Sequence, residues 1–333
     1  MSKHHRLAIL ILIGCAGCLS ESRQEVVVYT ALDRDFSEPM FAEFTEKTGI
    51  RVLAKYDTES TKTVGLTSRI ISEADHPRCD VFWNNEILHT LRLKKLGLLA
   101  AYETPVAADY PAKYYESTWH GFAARARVIL VNRKLLGDEA GPTSIQDLVD
   151  PRWKKRVGIA KPLFGTTATQ FAVLFASWGE EKATEFARQV HDNAEILSGN
   201  KQVAMAVSRG QIVWGLTDTD DALVEIERGG PVEIVLPDQE EGSGTLLIPN
   251  TVGIIRGAPH PEAAQQFVDY VLSADVEAQL AAGRSGQIPL NRQVTVQSRA
   301  VPGEFIDAQV DYAAAADAWE TASRVLRDIF ARP

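Results

Sequence analysis

Short apolar runs that stop in small polar residues, each followed by helical periodicity, recur along this chain and leave few folds open to it. The run at 26–29 ends in Thr30, and Phe36, Met40, Phe41 and Phe44 then repeat at helical spacing up to Thr48 and Gly49. A second strand is expected at 50–54, a helix over about 61–73, and a third strand at 79–83 that stops in Asn84, Asn85 and Glu86. Residues 87–96 return to helical spacing and Gly97 closes them. The run at 212–216 ends in Thr217, Asp218, Thr219 and Asp220 before another helix from Ala222. Strand and helix alternating at this rhythm make an α/β fold, a mostly parallel sheet covered on both faces. In such sheets ligands gather at the carboxyl ends of the strands, where helices begin.

Candidate binding residues follow from that edge. Tyr29 and Thr30, Asn84, and Asp218 with Thr219 each end a strand. Asp218 is expected to serve the solute rather than the fold, so that its removal leaves the empty protein's melting temperature nearly unchanged. Ordinary helix capping by Asp220 or Asp221 is the competing reading. Arg125 and Arg127 alternate along the strand at 121–132 and so share one face. A buried guanidinium needs partners, either carboxylates of the chain or an anionic ligand that fits its fork. Gly165 followed by Thr166 and Thr167 at a helix start is a pattern suited to an anion, with simple capping as the competing reading, and Ser198 and Asn200 stand at the end of a strand that runs into another helix. No lysine completes a P-loop there. Single helices are expected over 261–280 and 312–330.

Lys3 and Arg6 precede an apolar run at 7–13, too short to span a bilayer and typical of a secretory signal. Leu12-Ile13-Gly14-Cys15 resembles the lipobox of bacterial lipoproteins, with Cys18 as a second candidate for lipidation. Residues 1–18 are thus expected to hold the signal, cut before Cys15 or Cys18, and 19–25 a short tether. The about 310 residues that follow suit two lobes rather than one core. Cys79, the only later cysteine, is expected to be small and buried. A net charge of −9 argues against nucleic acid and against a basic membrane-binding patch. No histidine stands in a nucleophile motif and no Cys/His spacing suits a metal, so no enzyme activity is expected.

The chain resembles bacterial extracellular solute-binding proteins of ABC importers, within their ferric-iron-binding group. The resemblance rests on residues 26–30, 44–50, 80–84, 121–132, 148–154, 157–159, 210–215, 229–235 and 258–267. It implies the type II periplasmic binding protein fold, two α/β lobes closing on a ligand like a hinged trap. Lobe 1 would hold 26–124 and 254–333, and lobe 2 would hold 125–253 with hinge strands at both ends. It also implies a monomer at the periplasmic side of the envelope, lipid-anchored, that delivers its solute to a permease and an ATPase. Iron binders of this group resemble one another in a tyrosine pair, which at Asp218-Thr219 is absent, while Glu59 falls near the group's glutamate. With Fe3+ as solute, Tyr29, Asp33, Glu59, Glu86, Asp218 and Asp220 offer an oxygen cage. With a phosphorylated or phosphonate solute, Thr30, Thr58, Asn84, Arg127, Thr166, Thr167 and Asn200 offer hydrogen bonds. Passing the closed state to a receptor instead of a permease is the remaining reading.

Overall fold

The computed structural model describes residues 24–57, 63–240, 243–301 and 303–331. The segments holding Cys15, Cys18, Thr58 and Glu59 lie outside them.

The first half-sheet is built in chain order. Strand β1 (Glu25–Thr30) leads to α1 (Arg34–Thr48), β2 (Arg51–Tyr56), α2 (Val64–Ser72), β3 (Val81–Asn84) and α3 (Leu88–Lys95). β1 lies parallel between β2 and β3, as the strand–helix rhythm requires. The short β4 (Tyr115–Glu116) then pairs with β5 (Trp119–Asn132), a strand buried along its whole length.

The second half-sheet follows: α4 (Arg133–Leu136), β6 (Val157–Ala160), α5 (Gly165–Trp178), α6 (Glu180–Asn193), β7 (Glu195–Leu197), α7 (Asn200–Ser208), β8 (Trp214–Asp218), α8 (Thr219–Glu227) and β9 (Val232–Val235). β6 runs parallel to both β7 and β8. Gly215 lets α7 settle on these strands, since a Cβ there would lie 2.4 Å from Val203 Cγ1. The chain returns to the first lobe through β10 (Leu247–Ile254), then α9 (Pro261–Val271), α10 (Ala274–Ala282) and α11 (Tyr312–Phe330).

The two half-sheets are one continuous ladder, in the order β2-β1-β3-β10-β5-β8-β6-β7. β5 is the strand they share. Its Arg125 opposes Ile248 of β10, whereas its Arg127 opposes Asp218 of β8, so the change of partner falls between the two arginines. Phe122, Ala123 and Ala124 fill the core of lobe 1, while Ile129 and Val131 fill a core of lobe 2. At this crossing Ala123 takes a φ of 41°, a left-handed conformation that costs an alanine energy. The buried Glu277 carboxylate holds it by accepting the Ala123 N–H, together with those of Leu290 (2.9 Å) and Asn291 (2.6 Å).

Two elements differ from expectation. The helix expected over 261–280 is broken into α9 and α10, because Ser273 leaves helical geometry and its hydroxyl accepts the Val276 N–H. α11 has the expected bounds, but it packs chiefly on α5 and α6 of lobe 2 rather than within lobe 1. Its buried Ala315, Trp319, Ala322, Leu326 and Phe330 form the stripe that does so. Cys79 is fully buried, and burial pushes its thiol far above the usual range, which leaves it unreactive.

Candidate functional site

Three helices of lobe 2 begin at the carboxyl ends of parallel strands: α5 after β6, α7 after β7 and α8 after β8. Gly165, at φ 57°, makes the turn into α5, and Thr166 and Thr167 sit in that helix's first turn. Asn200 is the first residue of α7. Arg127 reaches all of them from β5. Its Nη1 donates to Asp218 Oδ1 (2.7 Å) and Asn200 Oδ1 (3.0 Å), its Nη2 to Thr167 (3.2 Å) and its Nε to Gln170 Oε1 (2.9 Å). The other oxygen of Asp218 accepts from Thr166 (2.6 Å) and from Asn200 Nδ2 (3.0 Å). Arg127 has no exposed surface and Asp218 has 2%. An ion pair removed from water this far holds only when both partners are saturated with hydrogen bonds, which this one is.

The sequence-predicted Arg127, Thr166, Thr167, Asn200 and Asp218 are therefore one network, but its members satisfy each other. Asp218 is held by bonds inside the protein, whereas the sequence reading has it facing the solute. It stands at the N-cap position of α8, yet its side chain makes no capping bond there.

Two residues upstream the same face of β5 carries a different arrangement. Arg125 is 3% exposed, and its Nη2 lies 3.3 Å from Asp220 Oδ2. Among the described residues its Nε and Nη2 find no hydrogen-bond acceptor. Burial works to lower the Arg125 pKa, but Asp220, Asp218, Asp221 and Asp33 together raise it above the ordinary value. Asp33 comes from the start of α1 in lobe 1, and the other three come from the β8–α8 junction of lobe 2. Oxygens of Asp218, Asp220 and Asp221 all lie within 4.8 Å of one another. Both oxygens of Asp218 are engaged by Arg127, Thr166 and Asn200, while Asp220 accepts the Asp221 N–H on Oδ1 (3.1 Å) and faces Arg125 with Oδ2.

The remaining sequence-predicted residues lie apart from both arginine sites in their bonding. The Tyr29 phenol donates to Glu73 (2.9 Å), and burial followed by that carboxylate pushes its pKa up to about 12. Thr30 accepts the Leu32 N–H (3.1 Å) and shapes the turn into α1, while Thr219 accepts the Ala126 N–H (3.2 Å). Asn84 donates to Glu86 (2.7 Å). Glu86, expected in the oxygen cage, is instead saturated inside the protein by Asn84, by His89 Nδ1 (3.0 Å) and by Thr169 (2.8 Å) of α5. Burial opposes its ionisation, but His89 and these bonds outweigh it and lower its pKa. The Glu86–Thr169 bond joins lobe 1 to lobe 2. The sequence marks Arg125 only as one of an alternating pair, and Asp221 only as a competing helix cap, so neither stands among the predicted site residues. The alternation of Arg125 with Arg127 was the available signal.

Residues 89–308 match the family model described as bacterial extracellular solute-binding protein. The chain is 28% identical over 290 residues to "Iron uptake protein A1" of Synechocystis, covering 82% of this chain and 79% of that one. It is 26% identical over 304 residues to a "Putative 2-aminoethylphosphonate-binding periplasmic protein" of Salmonella typhimurium, covering 88% and 87%. In fold it is similar to iron-bound HitA from Pseudomonas aeruginosa, with TM-score 0.82 at 24% identity over 92% of this chain and 99% of that one. Together with the two lobes and the crossing strand β5, the family match places this chain among the bacterial extracellular solute-binding proteins, with the type II periplasmic binding fold.

Proposed function

We propose that this solute-binding protein of the ABC importer family captures ferric ion between its lobes, on Asp220 and Asp221 of lobe 2 with Asp33 from lobe 1. The observation that carries this reading is that Asp218, Asp220 and Asp221 place oxygens within 4.8 Å of one another beside Arg125, with Asp33 of lobe 1 near enough to act on the same arginine. Ferric ion is a hard cation that prefers oxygen donors, and the carboxylates supply them without the absent tyrosine pair. The iron-uptake relative supports the same solute. Closure follows when the solute touches both lobes and so favours the shut state over the open one. The protein performs no chemistry of its own in this reading. It is held at the periplasmic side by a lipid on Cys15 or Cys18 and hands its solute to permease and ATPase subunits. Among the described residues no helix is long and apolar enough to cross a membrane.

A second reading has one observation in its favour. Nε of Arg125 has no acceptor among the described residues and its Nη2 has only the 3.3 Å ion-pair contact with Asp220, donors that suit an anionic group, while the negative charge of the neighbouring aspartates suits an ammonium. A small zwitterion such as an aminophosphonate has both, and the Salmonella relative is named for one. Native mass spectrometry of the purified mature protein, with metal analysis of the same sample, separates the two. One iron per chain with a charge-transfer colour supports the first reading. A metal-free protein carrying a co-purified zwitterion supports the second.

A further inference from the structure

At the edge where α5, α7 and α8 begin, Arg127, Thr166, Thr167 and Asn200 form the kind of donor set that binds oxyanions. A guanidinium fork, two hydroxyls and an amide meet at the first turns of α5 and α7, whose N-terminal ends carry partial positive charge. The occupant is a carboxylate of the chain itself. Asp218 takes Arg127 on one oxygen at 2.7 Å, and on the other Thr166 at 2.6 Å and Asn200 at 3.0 Å. Its backbone position adds an independent observation. An aspartate at a helix N-cap ordinarily accepts N–H bonds from its own helix. Asp218 forgoes them at α8 and turns to the donors of the neighbouring helices.

We propose that Asp218 is a built-in anion that fills this pocket and makes the cleft select against phosphate-type solutes at this position. A tetrahedral oxyanion entering here meets a carboxylate already holding the donors, in a place closed to water, and like charges at that distance repel strongly. Arg127, whose fork would otherwise bind such a group, is thereby removed from solute recognition, and Arg125 is left as the buried cation facing the aspartates. Selection by a repulsive element of this kind is a property of one residue, so it is reversible by one substitution. The proposal rests on reading this edge as the solute cleft, but not on which solute binds.

The test is thermal melting and titration calorimetry with inorganic phosphate on the wild type, Asp218→Ala, Asp218→Ser and the double variant Asp218→Ala/Arg127→Met. The serine variant offers α8 a capping hydroxyl that Asp218 does not supply, which guards against loss of folding. The wild type is expected to show no saturable shift at millimolar phosphate. Each single variant is expected to bind phosphate saturably, with Tm rising on the order of 5 °C at a hundredfold excess over the dissociation constant. The double variant loses that shift. Where a variant is unfolded alone, refolding in the presence of phosphate gives the same reading. Phosphate binding by the wild type, or its absence in both single variants, overturns the proposal. Ferric absorbance is followed in the same samples. A wild type that ignores iron while the variants gain phosphate contradicts the ferric reading and leaves this one standing.

Discussion

Arg125 and Arg127 stand two residues apart on the same face of β5, both buried, and differ in what the surrounding sequence supplies. Arg127 meets a carboxylate, two threonines, an asparagine and a glutamine. Arg125 has an ion-pair contact with Asp220 and two donor nitrogens without an acceptor among the described residues. Desolvating a cation costs several kcal/mol per charge, and only the first arginine has the bonds to offset it. The first arrangement holds lobe 2 together. The second retains unsatisfied polar groups at the junction of the lobes, as sites that wait for a partner often do.

The largest expected effect separates the two by stability. Arg127→Met leaves Asp218 buried without its cation, which should cost about 3–5 kcal/mol and lower Tm by roughly 10 °C. Arg125→Met should shift Tm far less, and scanning calorimetry of the two variants side by side checks this. Equal losses would erase the distinction.

A third buried charge asks whether hydrogen bonds alone can substitute for a counter-ion. Glu277 has three backbone N–H donors, yet burial pushes its pKa up to about 7 in spite of them. A carboxyl whose folded pKa is raised contributes stability that is complete below its unfolded value near 4.5 and is lost as pH rises through about 7. The difference is on the order of 3 kcal/mol. In Glu277→Gln the fall in denaturant stability between pH 4.5 and 7.5 should shrink by about that amount. An unchanged pH profile would show the carboxylate to be well compensated at the hinge.

The cleft itself is sharpened by Asp220→Asn, which should lower ferric affinity at least about 100-fold, roughly 2.7 kcal/mol. Arg125→Met should then leave ferric affinity intact or raised, because it removes a positive charge beside the cation. A large loss in that variant, read by competition against a ferric chelator, would favour the zwitterion. The smallest effect is expected outside both arginine sites. Thr169→Val removes the Glu86 clasp between the lobes and should weaken solute binding by only about 5-fold, near 1 kcal/mol.

Much of the fold was legible in the sequence because it depends on local periodicity. α11 has its expected bounds because Ala315, Trp319, Ala322 and Leu326 recur at helical spacing, although periodicity does not say which lobe receives the stripe. The break at Ser273 escaped because the apolar pattern continues across it. The site was legible only by residue type. Asp218 as a ligand and Asp218 as a counter-ion look alike locally, and the partner that decides between them, Arg127, lies 91 positions away. Arg125 and Arg127 likewise carry the same alternation, and only the register of β5 against β8 and β10 tells them apart.

The central claim is that the solute sits on the aspartates around Arg125 and not in the Arg127 network. The most direct measurement is anomalous diffraction at the iron edge from crystals of the ferric-loaded protein. The account predicts one peak in coordination contact with carboxylate oxygens of Asp220 and Asp221, with Asp33 facing it from lobe 1. A peak elsewhere, or no peak with organic density against Arg125, would contradict it.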